Sequence, residues 1–165
     1  MVFYSEKYNN FNDAANQADG LTVLSFLYQA TNEENGNYKQ FENNLPKVHN
    51  LSSYTAIKNF VSLTEFTINN KNVYFTYKGS LTTPPCSEVV TWIEFKNTIP
   101  LSHEQIQAFR LLAGQGGQLT HNFRPVQLLY DRVIYMNSPS HIFRIDNTFM
   151  IINALVSLIY CNITK

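Results

Sequence analysis

The stretch Tyr77-Lys-Gly-Ser-Leu-Thr-Thr-Pro-Pro-Cys-Ser-Glu-Val-Val-Thr-Trp92 is the most distinctive part of the chain. Two adjacent threonines, Thr82 and Thr83, precede two prolines, which favour extended backbone at their own positions and at the residue before each. Threonine hydroxyls both donate and accept hydrogen bonds, so a fixed pair of them can orient a small oxygen-rich molecule. From the residues alone, two interpretations stand: a polar turn between two strands, or a turn that also contacts a ligand.

On both sides of this stretch the sequence is typical of strands. Four runs are rich in β-branched and aromatic residues, and they predict strands at residues 20–28, 63–68, 73–77 and 89–95. Residues 69–72 are polar and predict the turn of a hairpin. Residues 37–50 are weakly helical, and Pro46 interrupts them.

One helix is clearly predicted after the last of these strands. Ser102 and Gln105 have the spacing of a capping box, and Ile106, Phe109 and Leu112 then share one helical face. The glycines of residues 113–117 are expected to end the helix, because glycine readily adopts the left-handed backbone of a helix terminus. Strands with one clear helix predict an α+β fold in which β-structure dominates.

Length and charge exclude several classes of protein. The chain has 165 residues, of which 44% are hydrophobic, so it can form one ordinary domain with a core. It contains 12 basic and 12 acidic residues, so the formal net charge is zero. A neutral chain has no overall electrostatic attraction to nucleic acid, and we expect no nucleic-acid partner.

The usual catalytic and metal-binding motifs do not occur in this sequence. None of the four histidines stands two or four residues from another; they are His49, His103, His121 and His141. That spacing would put two imidazoles on one face, so we expect no metal site made from this chain alone. The glycine run at 114–117 follows a helix and lacks the Lys-Ser/Thr of a phosphate-binding loop. A Gly-x-Ser-x-Gly motif is also absent, which leaves a serine hydrolase unsupported.

Several motifs together resemble the α-carbonic anhydrase family. The segment Gly79-Ser-Leu-Thr-Thr-Pro-Pro85, followed by Glu88 and Val90-Thr-Trp92, closely resembles the family signature. The resemblance continues in register through other segments: Met1-Val-Phe-Tyr4, Lys7-Tyr-Asn-Asn-Phe11, Asp19-Gly-Leu-Thr-Val-Leu24, the Ser102 helix with Phe109-Arg-Leu-Leu112, and Asn122-Phe-Arg-Pro-Val-Gln127. It covers residues 1–135 and implies part of a large, mostly antiparallel, twisted sheet with short peripheral helices.

The resemblance implies a zinc enzyme, but this chain lacks the metal ligands. Members of the family hold Zn²⁺ with three histidines, and the resemblance places all three upstream of Met1. We therefore expect no metal ligand and no bound cofactor in this chain, and no activity from the chain alone. The full-length parent would be a carbonic anhydrase, a lyase that interconverts carbon dioxide and bicarbonate with Zn²⁺ as cofactor.

Site residues follow from the same resemblance. Thr82 is expected to be the catalytic residue that accepts a hydrogen bond from the zinc-bound hydroxide, and Thr83 is expected to contact bicarbonate. An apolar wall would receive carbon dioxide; its expected members are Val2, Val23, Leu81, Val90 and Trp92. From the sequence, the valines and Trp92 are equally explained as ordinary core residues. The Pro84–Pro85 bond is expected to be cis, and Cys86 to be unpaired in this chain.

The end of the chain raises the question of location. Residues 136–147 form a polar spacer, and residues 148–165 an apolar tail. Its almost wholly apolar run, residues 149–161, is too short to span a bilayer comfortably. Small residues, spacer and tail together resemble a glycosylphosphatidylinositol attachment signal; the alternatives are a buried strand or helix, or a mis-spliced tail. Asn50-Leu-Ser52 is a glycosylation sequon, although the N-terminus shows no signal peptide. We expect the parent to be extracellular or on the cell surface, with membrane attachment through the tail.

Two further hypotheses remain beside the enzyme. The first is a non-catalytic, carbonic-anhydrase-like binding module of a cell-surface protein, as in some receptor ectodomains. The second is a fragment without function. Intact Thr82 and Thr83 favour the enzyme.

Overall fold

The computed structural model describes residues 1–50, 52–57, 62–114, 117–118, 123–138 and 142–145. The chain divides into two compact units. The first contains Met1–Ser25, Asn72–Lys96 and the described part of Pro125–Lys165, and the second contains Phe26–Lys71 and Asn97–Arg124. The expected apolar tail at 148–165 lies outside the described residues. Within the described part, no helix is long and apolar enough to cross a membrane.

A six-stranded sheet dominates the architecture. Its strands are β1 (Val2–Tyr4), β2 (Leu21–Thr31), β3 (Tyr74–Gly79), β4 (Val90–Ser102), β7 (Ile134–Asn137) and β8 (Ile142–Ile145). The strand order is β1-β2-β4-β3-β7-β8, and the pairs β1–β2, β3–β4, β3–β7 and β7–β8 are antiparallel. Ala113–Gly114 (β5) and Gly117–Gln118 (β6) form a separate two-stranded sheet. The expected β-dominated fold is confirmed.

Aromatic pairs across β3 and β4 help to fix the register of these strands. Tyr77 lies opposite Trp92 with the two rings nearly parallel, at an interplanar angle of 11° and a centroid distance of 6.4 Å. Tyr74 lies opposite Phe95, and their centroids are 6.1 Å apart. Directly opposed side chains are the main source of specificity in sheet pairing, so these contacts hold the two strands that flank the Thr82 loop in one alignment.

The core of the first unit lies against β2 and β4. Its fully buried members are apolar side chains of these strands and of helix α1 (Phe11–Ala14), namely Ala14, Leu21, Val23 and Val90. Tyr8, Ala15, Leu81, Val89 and Trp92 are partly buried and pack against that cluster. The same cluster therefore supports the loop that carries the two threonines.

The second unit is built around helix α3 (His103–Arg110). The expected capping box is present: Ser102 Oγ accepts from the backbone N–H of Gln105 at 3.1 Å, and Gln105 Oε1 accepts from the N–H of Ser102 at 3.2 Å. Gln105 is also buried and bonds both the N–H and the carbonyl of Asn35, at 2.9 and 2.8 Å. Both the oxygen and the nitrogen of its amide thus join the helix to the residue-35 loop.

A short helical region contributes aromatic packing to the same unit. Helix α2 (Lys39–Asn44) lies between two 3₁₀ helices, Gly36–Tyr38 and Leu45–Val48, and the second contains Pro46. The ring of Phe66 packs edge-on against those of Tyr38 and Phe41, with centroid distances of 5.2 and 4.9 Å. The weak helical pattern of residues 37–50 and its break at Pro46 are confirmed.

Two local predictions were wrong. Residues 63–68 were expected to form a strand and a hairpin with residues 73–77, yet Leu63–Phe66 is a 3₁₀ helix. The Ser62 side chain caps it by accepting from the Thr64 N–H, which draws the backbone into a turn despite its β-branched residues. Helix α3 ends at Arg110, before the glycines expected to end it, because Ala113–Gly114 pairs with Gly117–Gln118.

Candidate active site

The candidate site is the connection between β3 and β4, which carries Thr82 and Thr83. Two backbone hydrogen bonds close this loop on itself: the Leu81 N–H donates to the Ser87 carbonyl at 3.0 Å, and the Cys86 N–H donates to the Thr83 carbonyl at 2.9 Å. The Pro84–Pro85 bond is cis, as the resemblance predicted. Cys86 has a positive φ of 59°, and within the described part of the chain its thiol forms no disulfide. The loop therefore has a defined backbone on which the two threonines stand.

Both threonines project from this loop toward solvent. Their side chains are exposed, and among the described residues neither hydroxyl has a hydrogen-bond partner. An exposed hydroxyl on a fixed backbone can donate to and accept from a ligand without first breaking a bond within the protein. This is the arrangement that a small oxygen-containing ligand requires.

The structure brings together four of the five expected wall residues. Val23 and Val90 are buried in the core cluster, with 7% and 1% of their surface exposed, and Leu81 and Trp92 pack against that cluster. Leu81 directly precedes Thr82, so the apolar cluster begins next to the first threonine. Leu81 and Trp92 are only half-buried and can therefore also contact a ligand.

Val2 occupies a different position from the other four. It pairs with Val23 across β1 and β2, which places the two side chains on the same face of the sheet. Val2 is nevertheless 53% exposed, because β1 is an edge strand with a neighbour on one side only. The wall therefore runs from the cluster of Val90 and Val23 to Val2, and it is uncovered at its β1 end.

Trp92 links the wall to the loop. Its indole Nε1–H donates a 3.1 Å hydrogen bond to the Ser80 carbonyl, two residues before Thr82. A Cβ atom on Gly79 would lie 2.9 Å from Trp92 Cδ1, closer than ordinary packing allows. Gly79 thus gives the indole the room it needs beside the loop, which explains glycine at this position.

Sequence reasoning missed a half-buried acid–phenol pair beside Trp92, formed by Glu94 and Tyr77. Glu94 follows Trp92 by two residues on β4, so both side chains lie on the same face of the sheet, and Glu94 hydrogen-bonds to Tyr77. Burial raises the pKa of Glu94 above its ordinary value, although the bond from Tyr77 opposes that shift. Burial and the nearby Glu94 raise the pKa of Tyr77 to about 12. The sequence signal for this pair was Glu94, a carboxylate within the otherwise largely apolar strand at residues 89–95.

The described residues do not form a zinc site by themselves. Nowhere in this part of the chain do three or more His, Cys, Asp or Glu side chains come together as metal ligands would. His49 and His103 belong to the second unit, while His121 and His141 lie outside the described residues. The donor set that a protein zinc ion needs is therefore not provided by the described residues.

Comparison with known proteins identifies the family. The sequence model of the eukaryotic-type carbonic anhydrases matches residues 1–138. The chain therefore belongs to the carbonic anhydrase family, and the resemblance seen in the sequence is confirmed.

Individual relatives show how much of their own length this chain matches. The chain is 33% identical to carbonic anhydrase 6 of Bos taurus over 144 residues, which cover 86% of this chain and 45% of that protein. It is 32% identical to carbonic anhydrase 15 of Mus musculus, covering 81% of this chain and 44% of that protein. It is also 30% identical to receptor-type tyrosine-protein phosphatase zeta of Homo sapiens, over 6% of that protein. The chain thus spans slightly less than half the length of these two carbonic anhydrases.

Proposed function

We propose that this chain provides the substrate-facing part of a carbonic anhydrase that hydrates carbon dioxide reversibly to bicarbonate. The metal ligands would come from polypeptide outside this chain, since the described residues hold no such cluster. One observation carries the proposal. The hydroxyls of Thr82 and Thr83 are exposed and without a partner among the described residues, and they lie beside Leu81 and Trp92, which pack at the edge of the apolar cluster.

This arrangement matches the chemistry of the two substrates. Carbon dioxide is apolar, so a surface of Leu81 and Trp92, backed by Val23 and Val90, can receive it without hydrogen bonds. Bicarbonate has both a hydroxyl donor and oxygen acceptors, and threonine hydroxyls can match either role. In this proposal Thr82 orients the reacting oxygen, and Thr83 binds bicarbonate.

The experiment compares the full chain with a fusion that adds the missing part of the domain. The N-terminal part of bovine carbonic anhydrase 6 would be joined ahead of residue 1, and zinc content and carbon dioxide hydration would be measured for both proteins. We expect no stoichiometric zinc and no hydration from the chain alone, and one zinc with measurable hydration from the fusion. A folded, zinc-loaded fusion with no hydration above the uncatalysed rate would refute the catalytic proposal.

One observation favours a second function, a non-catalytic binding module. A relative that is 30% identical over 141 residues is a receptor-type phosphatase in which the matching region is only 6% of the protein. Related sequence therefore occurs as a small part of a larger protein whose name denotes a receptor. The same measurement separates the two functions, because a binding module would fold in the fusion without hydrating carbon dioxide.

Location and domain limits belong to the same proposal. We place the carbonic-anhydrase part at residues 1–135 and an anchor signal at 148–165, with residues 136–147 between them, of which Ile142–Ile145 adds β8 to the sheet. We infer an extracellular or cell-surface parent. The support is the apolar composition of the tail, the sequon at Asn50 and the receptor-type relative. Release of the expressed parent from cell membranes by a phosphatidylinositol-specific phospholipase would test the anchor; retention after treatment would refute it.

A further inference from the structure

A polar groove crosses the surface of the second unit. Its lining residues come from three segments, 35–37, 64–71 and 97–100, all of which belong to that unit. Its volume is about 780 Å³, within the ~300–1,000 Å³ of most small-ligand sites. We propose that this groove, here called the second-unit groove, binds a neutral oligosaccharide. The proposal is independent of the carbonic anhydrase reaction, because the groove shares no lining residue with the Thr82 loop.

The lining of the second-unit groove is polar but carries no net charge. Eight of its thirteen residues are asparagines or threonines, whose amides and hydroxyls are neutral. Glu65 is its one acidic residue and Lys71 its one basic residue, so the two charges cancel. Such a surface has no overall electrostatic attraction for phosphate or sulfate. It suits a neutral ligand that is rich in hydroxyl groups, since each hydroxyl can both donate and accept hydrogen bonds.

Side-chain amides join the three segments and fix the shape of the groove. Asn35 Nδ2 donates to a backbone carbonyl of β4 at 3.0 Å, and Asn35 Oδ1 accepts from the N–H of Asn37 at 3.2 Å. Asn37 Nδ2 donates to the Glu65 carbonyl at 2.9 Å. Asn97 Nδ2 donates to the Asn70 carbonyl at 3.4 Å. Because the walls are already held together, a ligand can bind without first having to order them.

The same bonds determine which hydrogen-bonding groups remain for a ligand. The Oδ1 atoms of Asn37 and Asn97 have no partner among the described residues, and each of the two amides keeps a second N–H. The hydroxyls of Thr67 and Thr98 donate within the protein, at 2.8 and 3.1 Å, and keep only their acceptor lone pairs. Over these four side chains, acceptors therefore outnumber donors. A sugar hydroxyl brings the proton that such acceptors need.

An extended peptide fits the groove less well than a sugar. Pro100 lies where β4 borders the groove, and it has no N–H to donate to an added strand. The Pro100 carbonyl already accepts from Asn35. A peptide backbone also brings one carbonyl acceptor for each N–H donor, so it cannot supply a surplus of protons. The exposed ring of Pro100 instead offers an apolar surface to the C–H face of a sugar ring.

The test is a titration of the full chain, followed through the amide chemical shifts in nuclear magnetic resonance. The probes are the neutral trisaccharides of N-acetylglucosamine, mannose and glucose. A sulfated heparin tetrasaccharide and a neutral hexapeptide of alternating threonine and valine serve as comparators. We expect saturable shifts with at least one trisaccharide, confined to residues of the three lining segments. Neither comparator should shift these residues at the same concentration.

Two variants locate the binding in the groove. Asn97→Leu removes a lining amide and should weaken binding of that trisaccharide about tenfold. Asn43→Leu is the matched control, because Asn43 is an exposed asparagine of α2 outside the groove, and it should bind like wild type.

Thr98→Lys places a long charged side chain in the groove at an exposed position, so it should abolish binding while circular dichroism stays unchanged. The absence of shifts with all three trisaccharides would overturn the proposal. So would binding of the sulfated probe or the peptide at the groove in their place, or unchanged trisaccharide binding by both Asn97→Leu and Thr98→Lys.

Discussion

The indole Nε1–H of Trp92 is hydrogen-bonded to the carbonyl oxygen of Ser80 at 3.1 Å. This bond joins a side chain of the apolar wall to the backbone that leads into Thr82. The position of the threonines therefore depends on how Trp92 is packed, and the packing of Trp92 depends in turn on Gly79 and Tyr77.

Trp92→Phe should lower the free energy of unfolding by about 1–2 kcal/mol, because it removes this hydrogen bond and part of a large packed ring. Urea denaturation of the full chain, followed by circular dichroism, measures the difference. Tyr54→Phe is a suitable control, since Tyr54 is 94% exposed and its hydroxyl should contribute nothing measurable. Equal destabilisation by both variants would show that the Trp92 contact is not specific.

Gly79→Ala should be destabilising by about 1–3 kcal/mol, the usual cost of forcing an extra group into a packed site. The added Cβ would lie 2.9 Å from Trp92 Cδ1 and 3.1 Å from Nε1, so the indole would have to move away from Ser80. Gly36→Ala provides the comparison, because a Cβ at Gly36 meets nothing within 4 Å. The midpoint of thermal unfolding should be clearly lower for Gly79→Ala than for Gly36→Ala. Equal midpoints would contradict the packing described around Trp92.

Glu94 should make the stability of the chain depend on pH. Burial raises its pKa in the folded state, so between the ordinary glutamate value of 4.5 and the raised value the folded state binds more protons than the unfolded state. The contribution of Glu94 to the free energy of unfolding therefore falls as pH rises through that window. Tyr77 adds a second fall at high pH, between its ordinary value of 10.0 and about 12.

Glu94→Gln isolates the first of these effects. The variant should lose the decrease in stability above pH 4.5 and be more stable than wild type at neutral pH. Denaturant unfolding at a series of pH values measures this, and Glu6→Gln, at an exposed position after β1, is the control that should keep the wild-type profile. Parallel pH profiles of wild type and Glu94→Gln across this window would contradict the burial of Glu94.

Sequence alone predicted the parts of the fold that local chemistry determines. The Ser102–Gln105 capping box, β2 and β4 all follow from residue pattern, and the family signature correctly placed the cis Pro84–Pro85 bond. Residues 63–68 were misassigned because a single side-chain cap at Ser62 outweighed the strand preference of the residues after it. Such competition depends on the geometry of one hydrogen bond, which composition does not reveal.

The site was only partly predictable for a different reason. Thr82 and Thr83 stand in a recognisable motif, but the hydrogen bond between Glu94 and Tyr77 and the exposure of Val2 arise from the sheet order. Strand order brings residues far apart in the sequence into contact, and a list of strands does not specify it. The absence of a metal site in this chain and the inactivity of the chain alone both stay predictions.

The most direct test of the central claim is the rate of carbon dioxide hydration by the fusion protein with Thr82→Ala, measured by stopped flow beside its zinc content. Thr82 would orient a reacting oxygen without binding the metal, so the rate should fall about 100-fold while one zinc per chain remains. Thr98→Ala, a threonine substitution in the second unit, should leave the rate unchanged. A zinc-loaded Thr82→Ala fusion with the full wild-type rate would contradict the claim that this loop faces the substrate.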